Sequence, residues 1–397
     1  PDGKTIVLNT PFSPWPSYSP EEIAAVSEVL ASGRVNYWTG DLCRRFEEEF
    51  SAYVGTRYAV ALANGTLALD VALKALGIGP GDDVIVTPRT FIASVSSVAL
   101  AGARPVFADV DRETQTITAA TIAAVLTPRT KAVIPVHLAG LPCDMDPIMA
   151  LARERGLFVI EDCAQAHGAT YKGRSVGAIG DIGAWSFCQD KIRTTGGEGG
   201  MVTTNSQALW SAMWSFKDHG KSWQGVYERA HPAGPRLVHD SFGTNARMLE
   251  MQAAIGLVQL KRMPQWLARR GEIAGRIAAA LRRHDTVRVP EVPADAGHAY
   301  YRLYAFVRPE RLASGWSRDR IIDEIVARGV PCLHGSQSEV YLEAAFEGTG
   351  WRPAQRLPVA RELGETGLAF LVHPTLTDAE VARTCAVADE VLGLAAG

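Results

Sequence analysis

The sequence predicts an α/β protein in which a mostly parallel sheet is covered by helices. Two observations support this fold class. Short apolar segments with strand character alternate with amphipathic segments of helical period over the first two thirds of the chain, which is typical of parallel α/β folds. The 397 residues are 47% hydrophobic and 21% charged, close to the averages for globular domains. This composition argues against a disordered, fibrous or membrane-embedded chain.

The predicted elements begin with two helices. Ser19 and Pro20 are typical of a helix start, apolar residues follow at helical spacing, and Gly33 is typical of a helix end. A second helix is predicted over residues 45–53. Strands are then predicted at 57–62, 83–88, 105–108, 131–136 and 157–162, with helices between them at 66–76, up to 101 and at 147–155. Because each strand is short and apolar, we expect helices on both faces of the sheet.

The pattern changes near Pro264. A long helix is predicted over residues 265–284, followed by mixed strands and helices that include a strand at 301–307. We therefore predict two domains. The larger one spans residues 1–264, including an N-terminal arm and helix, and a smaller α+β domain spans residues 265–397.

Charge and cysteine content restrict the partners and the compartment. With 40 basic and 43 acidic residues, the formal net charge is −3, so a nucleic-acid partner is not expected. None of the six cysteines forms a C-x-x-C pair, which indicates reduced thiols and no zinc ribbon or other metal site. We see neither a signal peptide at the N-terminus nor an apolar run of 18 residues, and we expect a cytoplasmic protein without membrane contact.

Three motifs carry groups that can react or bind a ligand. Lys191 lies beside a glycine-rich turn at 196–200, Asp162 closes a buried strand, and Gly65-Thr66 forms a strand-to-helix turn with free amides. A lysine amine reacts with aldehydes, a buried carboxylate can hold a pyridinium nitrogen, and a helix N-terminus binds phosphate. Together these are the requirements of pyridoxal phosphate. Alone, each has an ordinary alternative: a surface lysine, a helix cap and a common turn.

Several motifs in one order carry a resemblance to a known family. Besides the three above, they are Thr90-Phe91-Ile92-Ala93, Pro135-Val136-His137-Leu138-Ala139-Gly140, Glu161-Asp162-Cys163-Ala164-Gln165-Ala166-His167-Gly168, Gly197-Glu198-Gly199-Gly200, His219-Gly220 and Gly243-Thr244-Asn245-Ala246-Arg247-Met248. In these motifs the chain resembles the DegT/DnrJ/EryC1/StrS family of sugar aminotransferases, which belong to the fold-type I enzymes that use pyridoxal phosphate. The resemblance runs from about residue 20 to 375.

The resemblance implies a role for the reacting residues. Lys191 would carry pyridoxal phosphate and later move the proton. Asp162 would pair with the pyridine nitrogen, and Gln165 would contact the 3-oxygen of the ring. Phe91 would stack on the ring face, although an ordinary core position is the alternative for this side chain.

The resemblance also implies how the phosphate is held. Gly65, Thr66 and Ser186 would bind it from the same chain. Asn245 is similar to a residue that reaches the phosphate from the neighbouring subunit. The family therefore implies a homodimer with shared active sites.

The reaction implied by the family is transfer of an amino group from L-glutamate to a ketone on a nucleotide-linked sugar. The sequence of residues 191–200 resembles the corresponding segment of family members that aminate a 4-keto-6-deoxyhexose. A 3-keto sugar, or the ketone of a cyclitol or aromatic precursor, remains the alternative. We expect the substrate to be bordered by five residues. They are Trp38, Thr39, Arg89, His219 and His334.

Three other classes are disfavoured by the residues present. The family's sugar dehydratases carry histidine in place of the reactive lysine, whereas this chain has Lys191. A cofactor-binding regulator without turnover would be expected to lose Lys191 or Asp162. A dinucleotide oxidoreductase would show G-x-G-x-x-G after its first strand, and this pattern is missing from the sequence.

Overall fold

A computed structural model describes residues 12–397. The first part of the predicted N-terminal arm, residues 1–11, lies outside the described residues. The helices are α1 (Pro20–Ser32), α2 (Leu42–Val54), α3 (Gly65–Ala75), α4 (Ala93–Leu100), α5 (Ala119–Ala123), α6 (Met145–Arg155), α7 (Gln207–Lys217), α8 (Glu250–Leu281), α9 (Arg318–Ala327), α10 (Pro358–Thr366) and α11 (Asp378–Ala395). Among residues 12–397, no helix combines the length and apolar character needed to cross a membrane.

The strands form three sheets. They are β1 (Tyr58–Leu62), β2 (Asp83–Val86), β3 (Arg104–Phe107), β4 (Thr130–Ile134), β5 (Phe158–Asp162), β6 (Thr170–Tyr171), β7 (Arg174–Ser175), β8 (Ile182–Ser186), β9 (Gly200–Thr204), β10 (Val287–Arg288), β11 (Ala296–Gly297), β12 (Leu303–Val307), β13 (Cys332–Leu333) and β14 (Gly367–Phe370). The central sheet has seven strands in the order β1-β9-β8-β5-β4-β2-β3. A four-stranded sheet, β10-β12-β14-β13, follows in the C-terminal part.

The central sheet confirms the predicted fold class. β3, β2, β4, β5 and β8 are joined by parallel pairings, whereas β9 runs antiparallel to both β8 and β1. The parallel strands are buried, as expected for a sheet covered on both faces. β8 and β9 were not among the predicted strands. Their glycines and the turn between them hide the strand pattern in the sequence.

Helix α8 differs most from its prediction. It starts at Glu250, before the expected start at residue 265, and it continues through Pro264. Its first half packs with α2 and the N-terminal segment in one hydrophobic cluster, and its second half packs with the C-terminal sheet in another. Packing on both sides outweighs the hydrogen bond that proline removes from a helix interior. The domain division at residue 264 therefore falls within α8, and it stays a prediction.

The end of β5 is fixed by one buried carboxylate. Glu161, which is 0% exposed, accepts hydrogen bonds from three amides of residues 177–180 at 2.6–2.9 Å. It also accepts one from His137 Nε2 at 3.0 Å. The Cys143 amide donates to His137 Nδ1, so the ring proton is assigned to Nε2. Glu161 thereby ties the segment after β4 and the loop before β8 to β5.

These donors change the proton affinity of Glu161. Burial alone would raise the pKa of the carboxyl group, but the hydrogen bonds from His137 and the loop amides hold this pKa below its ordinary value. The folded protein therefore contains an ionised carboxylate whose acceptor sites are occupied. Its stabilising contribution is full above the unfolded-state pKa of about 4.3 and is lost as the pH falls through the lower folded-state pKa.

We predict that Glu161→Gln lowers the free energy of unfolding at pH 7 by about 3 kcal/mol, because the new NH₂ group would face N–H donors and leave at least one unpaired. The loss should shrink below about pH 4, where the carboxyl group of the unfolded wild-type chain takes up a proton while the folded carboxylate still resists protonation. Urea unfolding at pH 7 and at pH 3.5 measures both values. Glu154→Gln, on the exposed side of α6, is the matched control and should change little. A loss that is independent of pH would contradict this assignment.

Candidate active site

A cavity of about 710 Å³ opens where β5 and β8 end and α3 begins. Its volume lies within the usual range for small-molecule sites. Carboxyl ends of parallel strands are the usual location of such sites. The residues that line it and that the sequence had singled out are Gly65, Thr66, Phe91, Asp162, Gln165, Ser186 and Lys191.

The start of α3 forms one wall of the cavity. Asn64 caps the helix by accepting the Leu67 amide at 2.9 Å, while the amides of Gly65 and Thr66 have no acceptor within residues 12–397. A Cβ atom at Gly65 would lie 2.4 Å from the Ser186 Cβ, so only glycine lets the helix approach β8 this closely. Two free amides and two hydroxyl groups, those of Thr66 and Ser186, therefore border one place suited to an anion.

Asp162 forms the floor of the cavity. It is buried at the end of β5, and its Oδ2 accepts the Ser94 hydroxyl at 2.7 Å. Its Oδ1 accepts the Ala164 amide at 3.1 Å. Ser94 Oγ lies 2.8 Å from Thr90 Oγ1. Ser94 was not among the predicted site residues, although a hydroxyl four residues after Thr90 at a helix start was the available signal.

Gln165 and Phe91 border the cavity on other sides. The Gln165 Oε1 atom accepts the Ala139 amide at 2.8 Å, which leaves the NH₂ group of this buried side chain as its remaining polar group. Phe91 is 66% exposed at the cavity. The alternative of an ordinary core position for Phe91 is therefore wrong.

Lys191 enters the cavity from the turn after β8. Its Nζ lies 3.4 Å from Asp190 Oδ1 and 5.2 Å from the ring centre of Tyr301. The Trp15 indole donates to the Lys191 carbonyl at 2.8 Å. Burial alone would lower the pKa of the Lys191 amine, but Tyr301 and Asp190 outweigh burial and raise this pKa. Both the geometry and the raised pKa favour the ammonium form of Lys191, paired with its sequence neighbour.

A second group of predicted residues lies outside this cavity, around Asp218. The Trp38 indole donates to Asp218 Oδ2 at 2.7 Å, and Asn245 forms a backbone bridge with Asp218. Thr39, His219 and Asn245 are exposed. The fold therefore brings Trp38, Thr39, His219 and Asn245 to one surface, but not to the cavity of the same chain.

Arg89 and His334 are also absent from the cavity walls. Arg89 is 0% exposed, donates to Gln115 Oε1 at 3.2 Å and lies 5.3 Å from the ring centre of Tyr304. Burial lowers the pKa of its guanidinium to about 10. Its side chain turns toward Tyr304 in the C-terminal sheet and does not line the cavity, and a contact of Arg89 with the substrate stays a prediction. His334 is exposed, and its Nε2 lies 3.4 Å from Asp319 Oδ1.

The walls of the cavity carry an unusual balance of charge. Within the described part of the chain they contain one cationic side chain, Lys191. Against it stand four carboxylates, from Asp70, Asp162, Asp190 and Glu198. An anionic ligand here would therefore depend on amides and hydroxyls, or on cations from outside this cavity.

Comparison with known proteins places the chain in a family. The model of the DegT/DnrJ/EryC1/StrS aminotransferase family matches residues 16–388. GDP-perosamine synthase of Caulobacter vibrioides is 40% identical over 352 residues, which are 87% of this chain and 89% of that protein. UDP-N-acetyl-3-dehydro-alpha-D-glucosamine 3-aminotransferase of Acidithiobacillus ferrooxidans is 38% identical over 372 residues, 92% of each chain.

Solved structures agree with this assignment. An aminotransferase from Psychrobacter cryohalolentis superimposes with a TM-score of 0.95 at 61% identity, covering 96% of this chain and 99% of that one. The PLP form of the protein Spr1654 from Streptococcus pneumoniae superimposes with a TM-score of 0.84 at 27% identity, covering 96% of this chain and 98% of that one. The chain belongs to the DegT/DnrJ/EryC1/StrS aminotransferase family, and it is a transaminase with the fold of these enzymes.

Proposed function

We propose that this enzyme uses pyridoxal phosphate to move an amino group from L-glutamate to the ketone of a nucleotide-linked sugar, giving an amino sugar for polysaccharide or glycoside biosynthesis. One observation carries the proposal. Lys191, Asp162 and the free amides at the start of α3 face a single cavity, and these are the groups that the aldehyde, the pyridine nitrogen and the phosphate of the cofactor require.

The residues around the cavity match the cofactor part by part. The amides and hydroxyls of Gly65, Thr66 and Ser186 would bind the phosphate, which needs no cation there. Asp162, held in place by Ser94, would keep the pyridine nitrogen protonated. When bound, the cofactor supplies an electron sink for the charge that develops on the substrate carbon.

The remaining groups orient the ring and move the proton. The NH₂ group of Gln165 would donate to the ring oxygen, and Phe91 would cover a ring face from the edge of the cavity. Lys191 would carry the cofactor and, once released, would act as the base and acid that moves a proton from one carbon to another.

We predict that the purified protein absorbs visible light and that L-glutamate alone shifts this band. Lys191→Ala should remove the borohydride-reducible band while leaving the far-UV circular dichroism unchanged, because no other amine lines the described cavity. Lys172→Ala, which removes an exposed lysine paired with Asp146, is the control and should keep the band. A wild-type protein without a visible band after addition of pyridoxal phosphate would contradict the proposal.

The keto sugar that we favour is a 4-keto-6-deoxyhexose linked to a nucleoside diphosphate. This choice is supported by the sequence of residues 191–200, which is similar to that of family members acting on such sugars. The Acidithiobacillus relative is named for a 3-dehydro sugar, so the 3-keto compound is the alternative to be tested.

We predict turnover of a nucleotide 4-keto-6-deoxyhexose with L-glutamate, measured as 2-oxoglutarate formation. The matched comparison is the 3-keto isomer on the same nucleotide at equal concentration. Preference for one isomer should be ten-fold or more, because a carbonyl at the neighbouring carbon misplaces the reacting atom by more than 1 Å. Turnover of the 3-keto isomer alone would contradict the 4-keto assignment, while the transaminase proposal would stand.

We further propose that the enzyme is a homodimer whose active sites are shared. Asn245 and His219 lie exposed on a surface away from the cavity of their own chain, where a partner's cavity could receive them. The same surface carries Arg247 and Lys221, which pair with Asp218 at 2.7 and 3.1 Å. Phosphates in a cavity with a single lysine would gain from such a cationic surface.

We predict that an inactive Lys191→Ala chain and an inactive Asn245→Asp chain restore activity when they are co-expressed. A mixed dimer has one cavity with Lys191 from one chain and Asn245 from the other, so random pairing should give about a quarter of wild-type activity. Co-expression of Lys191→Ala with itself is the control. No recovery in isolated mixed dimers would show that Asn245 serves the cavity of its own chain.

The cytoplasm is the compartment that we propose for this enzyme. The six cysteines are all unpaired in the described structure, and unpaired thiols are typical of reducing compartments.

A further inference from the structure

Asp190 occupies an unusual position beside the reactive lysine. Its Oδ1 lies 3.4 Å from Lys191 Nζ, and its Oδ2 accepts the hydroxyl of Tyr301, a residue 111 positions later in the chain. The Asp190 side chain lines the cavity and is 43% exposed, whereas that of Lys191 is 15% exposed. The carboxylate is therefore anchored on one side and paired with the lysine on the other.

The backbone explains why neighbouring side chains can meet in this way. The Lys191 amide donates to the Cys188 carbonyl at 3.0 Å, which closes a turn after β8. The Trp15 indole holds the Lys191 carbonyl at 2.8 Å. These two contacts hold the backbone of the turn, and the Tyr301 hydroxyl holds the Asp190 side chain.

The surrounding charges favour an ionised Asp190. Burial alone would raise the pKa of its carboxyl group, but Lys191, Tyr301 and Arg302 lower this pKa below its ordinary value. The Arg302 guanidinium lies 4.7 Å from the ring centre of Tyr301. Cys188 and the buried His167 are further titratable groups near Lys191. Across the cavity, the lining carboxylates are those of Asp70, Asp162 and Glu198.

We propose that Asp190, fixed by Tyr301, is a positioning residue that binds the Lys191 ammonium whenever this amine is not bonded to the cofactor. The reaction part of this inference rests on the proposed function, since the lysine is released in the first half of a transamination and recaptured only at the end of the second half. The proton that Nζ takes from one carbon resides on the ammonium until Nζ gives it to the next carbon. Asp190 stabilises that charge and keeps Nζ at the cavity, and no other reactant is consumed.

The first test needs no cofactor. Trinitrobenzenesulfonate reacts with a lysine amine only in its neutral form. In the apoprotein, peptide mass spectrometry follows the reaction at Lys191 separately from the other lysines, as a function of pH. Asp190→Asn keeps an acceptor for Tyr301 but removes the charge, so we expect the pKa of Lys191 to fall by about one unit and its reactivity at pH 7 to rise about ten-fold. Glu198→Gln removes a carboxylate from the same cavity and should leave the rate unchanged.

Two further variants separate positioning from a merely structural role. Tyr301→Phe keeps the charge but frees the carboxylate, so it should raise Lys191 reactivity by less than Asp190→Asn does. Asp190→Glu restores the charge and should return the reactivity toward the wild-type value. An Asp190→Asn protein that is folded by circular dichroism and has wild-type reactivity at Lys191 would overturn the proposal. If that variant does not fold, unchanged reactivity in Tyr301→Phe would overturn it.

The second test uses the loaded enzyme. In the Asp190→Asn variant, the acidic limb of the plot of kcat against pH should move to lower pH by about one unit, as the pKa of Lys191 does in the first test. The KM for L-glutamate should change little. An unmoved limb would overturn the role in turnover. The two proposals fail separately, because a protein without a visible band contradicts the use of pyridoxal phosphate, whereas the apoprotein rates test the Asp190–Lys191 pairing alone.

Discussion

The hydrogen bonds to the buried Glu161 carboxylate are the interaction on which the rest of the site depends. They join the segment around His137, the end of β5 and the loop before β8. Asp162 is the next residue along β5, and Ser186 ends β8. A carboxylate that does not line the cavity thus holds the end of β5, which carries the cavity floor, against the loop that leads into β8.

The second constraint is the scarcity of positive charge at the cavity. One lysine faces four carboxylates in the described walls, although the proposed cofactor and both substrates are anions. Helix amides and hydroxyls can bind a phosphate without a full charge because a helix N-terminus carries a partial positive charge. Under the proposed function, this would leave Lys191 free for the reaction, and a second chain presenting Arg247 and Lys221 would complement the cavity.

Much of this arrangement could be predicted from local sequence patterns. The parallel strands were found because each is a short apolar run, and Gly65, Asp162 and Lys191 were found because each lies at a strand end or glycine turn. The position of Arg89 was not predictable. Whether an arginine after β2 turns to the cavity or toward Tyr304 depends on a sheet that lies more than 200 residues later in the chain. The predicted helix began too late, at residue 265, for a similar reason. Packing on both halves of α8 overrides the effect of Pro264, and the local sequence does not show this packing.

The sequence by itself determined the fold class and the family, and it supplied the candidate reactive residues, because these depend on side-chain chemistry, on local patterns and on the order of motifs along the chain. The tertiary structure alone decided which of those residues meet. It separated Trp38, Thr39, His219 and Asn245 from the cavity, and it brought Tyr301 to Asp190. Such contacts join segments that are distant in the chain, and their geometry follows from the packing of whole elements and not from the local pattern of either segment.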